Sequence, residues 1–513
     1  MPRWFNTAGP CKPDIHYMLS PLERLPNLTR LIEQQGYFII HAPRQTGKTT
    51  AMLDLAQQLT ASGGYAALMV SAESGSALPH DPRASESFML KAWLSAARVW
   101  LPPALQPQSW EEGSSMGQVL QQWSQVCPRA IVLFIDEIDS LEDETLITVL
   151  RQLRDGFPRR PEGFPQSIAL VGLRDVRDYK VASGGSGRLN TASPFNIKVA
   201  SLTLRNFNQT EIAALYQQHT DDTGQVFTDA AIARAFHLTQ GQPWLVNALA
   251  KEIVEELLPD GKTSIQPEQI DQAKEILIQR RDTHIDSLAE RLQDPRVRAI
   301  IQPIIAGQIL GPVPPDDVQF LIDLGLLERD PAGGLRVANP IYQEVIPRVL
   351  TNNTQDALPA IHPTWLTAEG ELDETRLLEA FLTFWRQHGQ PLLRNASYHE
   401  IAPHLVLMAF LHRVVNGEGR LDREYAIGND RLDLCLSYRS TMLAMELKVW
   451  RAGASEPLAQ GLAQLDRYLA GLGLGRGWLV IFDQRPELPP LGERTTTEFA
   501  QTPTGRAVTV IRA

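Results

Sequence analysis

Tyr37-Phe38-Ile39-Ile40-His41-Ala42-Pro43-Arg44-Gln45-Thr46-Gly47-Lys48-Thr49-Thr50 decides how the first half of this 513-residue chain folds. Its opening residues, Tyr37 to Ile40, form a short apolar run, the pattern of a buried strand. Beyond Thr50, Met52, Leu53, Leu55 and Leu59 recur at helical spacing, so the predicted order is strand, loop, helix. A loop at such a junction can wrap phosphates, because the first helical turn has N–H groups without intrahelical partners and the helix dipole favours negative charge there. Ala42, Pro43, Arg44, Gln45, Thr46, Gly47, Lys48, Thr49 and Thr50 are the candidate lining. Lys48 would reach the terminal phosphates and Thr49 would offer its hydroxyl to Mg2+. Ala42 stands where a glycine is usual, leaving the pattern one glycine short.

A Gly-Lys-Thr alone could be a plain helix cap. A second element, 88 residues after Lys48, decides against that: Ile131-Val132-Leu133-Phe134-Ile135 reads as an apolar strand ending in Asp136-Glu137. A carboxylate at that strand end can hold Mg2+ through water, and the next one can polarise an attacking water.

These residues resemble the AAA+ and STAND group of P-loop ATPases over approximately residues 1 to 350, with Asp136 and Glu137 similar to its Walker B pair. The resemblance implies ATP and Mg2+ as cofactors, Thr49 and Asp136 on the metal side, and Glu137 as catalytic carboxylate. Ile168-Ala169-Leu170-Val171-Gly172 resembles the group's sensor strand, which makes Arg174 the first sensor candidate and Arg177 the second. Gly241-Gln242-Pro243-Trp244 resembles the element by which the helical lid approaches the nucleotide, placing Pro243 there; a proline at the first helical position reads equally as a helix start. Ile15-His16-Tyr17-Met18 either packs near the adenine or forms an N-terminal arm on the domain.

Further on, 298–309 and 315–327 read as helices. Leu326-Leu327-Glu328-Arg329, a turn at Asp330-Pro331-Ala332-Gly333-Gly334, and Leu335-Arg336-Val337 read as a hairpin. Helices followed by a hairpin suggest a winged helix. The segment is not basic, which favours a packing role over DNA reading.

Near the other end, Arg431-Leu432-Asp433-Leu434-Cys435-Leu436-Ser437-Tyr438 and Met442-Leu443-Ala444-Met445-Glu446-Leu447-Lys448-Val449 alternate as half-buried strands of an antiparallel hairpin. Side chains two apart share a face, so Glu446 and Lys448 point together and Asp433 can meet them from the partner strand. Two carboxylates can hold Mg2+ against a phosphate, and a lysine can orient the metal-bound water. An exposed Glu-Lys pair is the bland alternative. Against it, only nine of the 48 cationic residues are lysines, and Lys448 is the only one after Lys274. Gly428 supplies a turn before the Asp433 strand, and Gln460, Gln464 and Tyr468 recur beside the stripe Leu458, Leu462, Leu465, Leu469.

Residues from about 370 to 513 thus resemble the PD-(D/E)XK nuclease superfamily: Asp433, Glu446 and Lys448 match its core motif, and Gln464 and Tyr468 its Gln-x-x-x-Tyr helix. Leu432 replaces the proline of the name. Glu400 could be the family's earlier acidic residue, although Ser397 to Glu400 is also a ready capping box. The resemblance implies Asp433 and Glu446 as metal ligands, with Lys448, Gln464 and Tyr468 catalytic.

The length suits about three or four domains. A formal charge of -11 argues against indiscriminate coating of nucleic acid or anionic membrane. Three scattered cysteines make neither a disulfide framework nor a CxxC pattern, and no apolar stretch is long enough to span a bilayer. A cytoplasmic protein without membrane attachment is expected.

The expected fold is multidomain α/β: an arm (1–20), an AAA-like ATPase domain with helical lid (21–290), a winged-helix module (291–350), a linker (351–370) and a restriction-endonuclease-like PD-(D/E)XK domain (371–513). The expected function is an ATPase coupled to a Mg2+-dependent nuclease acting on nucleic acid, DNA first. The resemblance adds homo-oligomerisation and a role in defence or mobile-element control. The alternative is a signalling switch whose nuclease-fold domain only binds DNA or a partner.

Overall fold

The computed structural model describes residues 3–174, 195–280, 283–305, 310–330, 333–346, 363–395, 402–415, 419–427 and 430–513. Arg177, Ser397 to Glu400, Gly428 and residues 351–362 of the expected linker lie outside the described residues. The chain divides into two compact units, Met1–His284 with Pro314–Pro340, and Ile285–Val313 with Ile341–Ala513.

The first unit runs through α1 (Leu28–Glu33), β1 (Tyr37–His41), α2 (Lys48–Ala61), β2 (Tyr65–Ser71), α3 (Pro82–Trp100), α4 (Met116–Val126), β3 (Ala130–Asp136), α5 (Asp143–Gly156), β4 (Ser167–Gly172) and β5 (Lys198–Thr203). The five strands pair in parallel in the order β2-β3-β4-β1-β5. Alternate residues of β1 feed two cores: Tyr37 and Ile39 join Met89, Trp93, Leu120 and Leu150, while Phe38 and Ile40 join Ile32, Met52 and Leu55. That double burial is why the strand reads as an unbroken apolar run. β1 and β3 flank β4, so the loop after β1 and the carboxylates after β3 open at the same edge of the sheet, where doubly wound sheets bind ligands.

The helices α6 (Gln209–Thr223), α7 (Asp229–Thr239), α8 (Pro243–Glu252) and α9 (Pro267–Arg280) follow. Asn208 and Glu211 close a capping box at α6, and Thr228 caps α7. The N-terminal segment packs on α6: Tyr17 is buried, its ring 4.8 Å from that of Phe5 and 5.5 Å from that of His219.

Next come α10 (Thr283–Arg291), α11 (Pro295–Ile305), α12 (Pro315–Asp323) and the antiparallel pair β6 (Leu327–Arg329) and β7 (Leu335–Val337). The helix expected to reach 327 stops at Asp323, because Gly325 takes a left-handed φ of 74° that ends it.

In the second unit, α13 (Glu374–Asn395) and α14 (Ala402–Val415) precede β8 (Gly419–Ile427), β9 (Asp430–Tyr438) and β10 (Thr441–Trp450). Then come α15 (Leu458–Leu472), β11 (Arg476–Asp483), α16 (Leu491–Arg494), β12 (Thr496–Gln501) and β13 (Ala507–Arg512). The sheet order is β12-β13-β11-β10-β9-β8. β8, β9 and β10 are antiparallel, whereas β10, β11 and β13 run parallel. Leu443, Met445 and Leu447 pack with Phe381, Trp385 and Phe410 on one face. Ala444, Leu465, Tyr468 and Leu469 pack on the other. The predicted half-buried strand is therefore covered on both faces, since α15 closes over the side carrying Glu446. No helix among the described residues is long and apolar enough to cross a membrane.

Candidate functional site

In the first unit the loop between β1 and α2 turns tightly, with Gln45 at φ 59° and Gly47 at φ 92°. Thr46 is fully buried and its hydroxyl donates to Pro43 O at 2.9 Å, which holds the turn. Lys48 Nζ donates to Ala42 O and Pro43 O at 2.8 and 2.9 Å, folding the ammonium back over the loop. Thr49 Oγ1 donates to Asp136 Oδ2 at 2.7 Å, and Asp136 Oδ1 accepts from Glu137 N at 3.0 Å. Lys48, Thr49, Asp136 and Glu137 thus gather at the strand ends, and Thr50 Oγ1 accepts from Cys11 N at 3.1 Å.

Burial lowers the Lys48 pKa, while the charges of Asp136, Asp139 and Glu137 oppose the shift. Burial also raises Asp136, and raises Glu137 with help from Asp136 and Asp139. Three carboxylates, Asp136, Glu137 and Asp139, thus lie close enough to Lys48 for their charges to act on it.

Arg174 holds its guanidinium 3.9 Å from the centre of the Phe320 ring. Pro243 is buried at the first turn of α8, whose N-terminus is capped by Gln242 through Leu245 N at 2.6 Å. Just before it, Gly241 sits so close to Phe207 that an added Cβ would lie 1.8 Å from Phe207 O.

Two residues of this site were not singled out in the sequence. Asp139 has a buried Oδ1 with no hydrogen-bond partner; its position three residues past Asp136 was the available signal. Arg24 is buried and donates through Nη1 to Thr46 O and Arg205 O at 3.1 and 3.0 Å, tying the loop to the chain entering α6. No local pattern marks it, because both of its acceptors are backbone carbonyls.

In the second unit, β9 and β10 join through a turn at Arg439-Ser440 with Tyr438 opposite Thr441 and Leu434 opposite Met445. Asp433 Oδ2 accepts from Leu447 N at 2.8 Å, and Lys448 Nζ donates to Glu446 Oε1 at 2.5 Å. Glu446 is only 2% exposed. Burial first, then the charge of Asp433, pushes its pKa up to about 8 against the opposing Lys448. Glu446 Oε2 and Gln464 Oε1 are buried without a hydrogen-bond partner. Gln464 lies one turn before Tyr468, which is buried in the core with Leu465 and Leu469. His404 packs against Phe482 at 5.6 Å.

The strand pairing brings together two carboxylates and an ammonium, and two carboxylates are hard donors suited to a divalent cation. No group of three or more His, Cys, Asp or Glu able to hold a metal occurs among the described residues, so water or substrate oxygens would complete the coordination.

The strand order and the loop of the first unit define a P-loop NTPase-like α/β fold. No protein-family model and no curated protein matches the chain. Among solved structures, it is similar to the Walker-type ATPase PABY2304 of Pyrococcus abyssi at 12% identity and TM-score 0.48, covering 67% of this chain and 99% of that one. It is also similar to the Thermotoga maritima RuvB Holliday junction branch migration motor at 16% identity, TM-score 0.33, with 63% and 93% covered. The Aeropyrum pernix ORC1 protein, solved in complex with DNA, follows at 11% identity, TM-score 0.31, with 67% and 94% covered.

Proposed function

We propose that the chain is an AAA+/STAND-type ATPase whose nucleotide state governs a Mg2+-dependent DNA phosphodiesterase of PD-(D/E)XK type in its second unit. The proposed organisation is an arm (1–20), an ATPase domain with lid (21–290), a winged-helix module (291–350), a linker (351–370) and a nuclease domain (371–513). A cytoplasmic protein that binds DNA and forms homo-oligomers fits the same reading.

At the first site, Mg2+-ATP would set its phosphates against the loop and its cation beside Asp136 and Glu137. The backbone N–H groups of residues 44–49 would cradle the phosphates, and Lys48 would leave Ala42 O and Pro43 O to meet them. Thr49 and Asp136 would hold the cation and Glu137 would orient water. Two contacts within the first unit support a link to the helix–hairpin segment. An added Cβ at Gly325 would meet Pro43 at 2.8 Å, and Arg174 lies over Phe320. A change in the loop would therefore be felt at α12.

At the second site Mg2+ would supply a Lewis acid beside the scissile phosphate. Asp433 and Glu446 would hold it, Gln464 would fix the geometry, and Lys448 would position the attacking water and offset charge on phosphorus. The observation carrying the nuclease reading is the buried Glu446 carboxyl set between Asp433 and Lys448, with no protein donor to Oε2. A buried acceptor left unsatisfied costs on the order of 1–3 kcal/mol, which a bound cation would recover.

The test is Mg2+-dependent cleavage of plasmid, single-stranded DNA and RNA, with and without ATP, by wild type, Lys48→Ala and Lys448→Ala. Lys448→Ala is expected to lower cleavage about 100-fold or more, and Lys48→Ala to remove the response to ATP. Wild-type cutting by Lys448→Ala would sink the nuclease and leave the signalling switch.

A further inference from the structure

Two residues beyond Lys448, on the same face of β10, stands Trp450. It packs against the core of Ala444, Leu465, Tyr468 and Leu469 that lies under Glu446, and its indole Nε1 donates to Ala454 O at 3.1 Å. In the parallel pairing of β10 with β11, Trp450 lies opposite Asp483. Asp483 accepts from Arg485 Nε at 2.9 Å and from Arg485 Nη2 at 2.7 Å. The guanidinium is thereby laid over the indole, 3.6 Å from the ring centre. The surrounding charges are already engaged. Glu456, whose charge reaches Arg485, is paired with Arg512 at 2.6 Å, and Arg494 donates to Asp483 O at 2.7 Å.

Arg485 keeps 37% of its side chain exposed, and its pair with Asp483 uses Nε and Nη2, so the Nη1 donors stand outside that contact. A partly exposed ion pair by itself contributes only about 0–1 kcal/mol. A stacked and bidentately fixed guanidinium has, however, already lost its rotamer freedom, which makes it a preorganised phosphate donor. Two strand residues span about 7 Å, comparable to one nucleotide step of an extended strand.

We propose that Arg485, seated on Trp450, is the substrate-positioning residue of this site and binds the nucleic-acid phosphate next to the one facing Lys448. The proposal rests on the phosphodiesterase reading and narrows its substrate to a strand long enough to offer two successive phosphates.

The full chain is titrated with a fluorescently labelled single-stranded oligodeoxynucleotide in Ca2+ across a salt series, read by anisotropy. Arg485→Gln is expected to weaken binding about 10-fold and to shrink the slope of log K against log salt by about 0.7, one phosphate contact on a single strand. Arg485→Lys loses the fork to Asp483 but keeps the charge, so it retains the slope; a merely structural ion pair would show wild-type slopes for both. Trp450→Leu, a second variant that spares the Asp483 pair, is expected to weaken binding about 3-fold. A wild-type slope for Arg485→Gln overturns the proposal, as does wild-type protein that binds no oligonucleotide. Wild type that binds but does not cut in Mg2+, with the slope change intact, defeats the nuclease reading and leaves the Arg485 contact standing.

Discussion

Lys48 and Lys448 are both scarce lysines beside carboxylates, yet their surroundings solve opposite problems. Lys48 is held by two carbonyls of its own loop, and Asp136 beside it already accepts from Thr49 and from the Glu137 backbone. Lys448 instead bonds directly to Glu446, a buried carboxyl that also meets Asp433. In the first unit a contiguous backbone loop satisfies the charges, and a ligand would replace existing partners. In the second, cross-strand register assembles the charges and leaves them incomplete, so a cation would add partners that the protein does not supply.

If the first site depends on backbone geometry, its most sensitive point is a glycine and not a charged side chain. Gly241 has φ 72°, and an added Cβ would meet Phe207 O at 1.8 Å. Gly241→Ala is expected to destabilise the first unit by about 4 kcal/mol, from left-handed strain and overpacking together. Urea denaturation followed by circular dichroism checks this, and an unchanged midpoint would refute the steric account. Lys48→Ala comes next. Losing one charge-assisted contact of about 3 kcal/mol weakens ATP binding about 100-fold, measurable by titration calorimetry. Near-wild-type affinity would mean that Lys48 stays on its loop carbonyls when nucleotide binds.

The two regions also differ in how far they could be read in advance. The stretch from Tyr37 to Thr50 announces strand, loop and helix within a few consecutive residues, and β3 announces Asp136 by its own apolar run. Asp433 and Glu446 were legible because β9 and β10 are neighbours joined by a short turn. What lay hidden was set by distant partners. Arg24 works through carbonyls of Thr46 and Arg205, and Arg485 reaches Trp450 only because β11 pairs in register with β10. β12 escaped notice because Thr496 to Gln501 form a largely exposed edge strand, with Phe499 91% exposed, so no buried face imposes an apolar pattern.

An incomplete charge cluster should also betray itself through pH. Glu446 is raised from 4.5 to about 8, so between those values the folded unit keeps a proton that the unfolded chain has released. Fewer protons on the unfolded chain mean that stability falls as pH rises through this window. Glu446→Gln removes the fall. If the site takes Mg2+ as proposed, the cation binds the ionised form, so its stabilising effect should grow from pH 6 to pH 8. Thermal melts across pH with Mg2+ or EDTA check both, and a wild-type profile as flat as that of Glu446→Gln would show that no proton is held there.

The smallest effect isolates backbone from side-chain packing. Gly461 on α15 resembles Gly241 in leaving no room for a Cβ, since the nearest atom would be Leu479 Cδ1 at 2.6 Å. That atom is the end of a flexible side chain, and the residue is helical with no left-handed φ to strain. Overpacking of about 1–3 kcal/mol is relieved when Leu479 turns, and replacing a helical glycine with alanine returns up to about 1 kcal/mol. Gly461→Ala should therefore change stability by less than about 1 kcal/mol in either direction, by the same two opposing terms. A loss comparable to that of Gly241→Ala in parallel urea titrations would show that α15 is locked onto β11 as rigidly as the α8 entry is locked onto Phe207. The second site would then be as preorganised as the first.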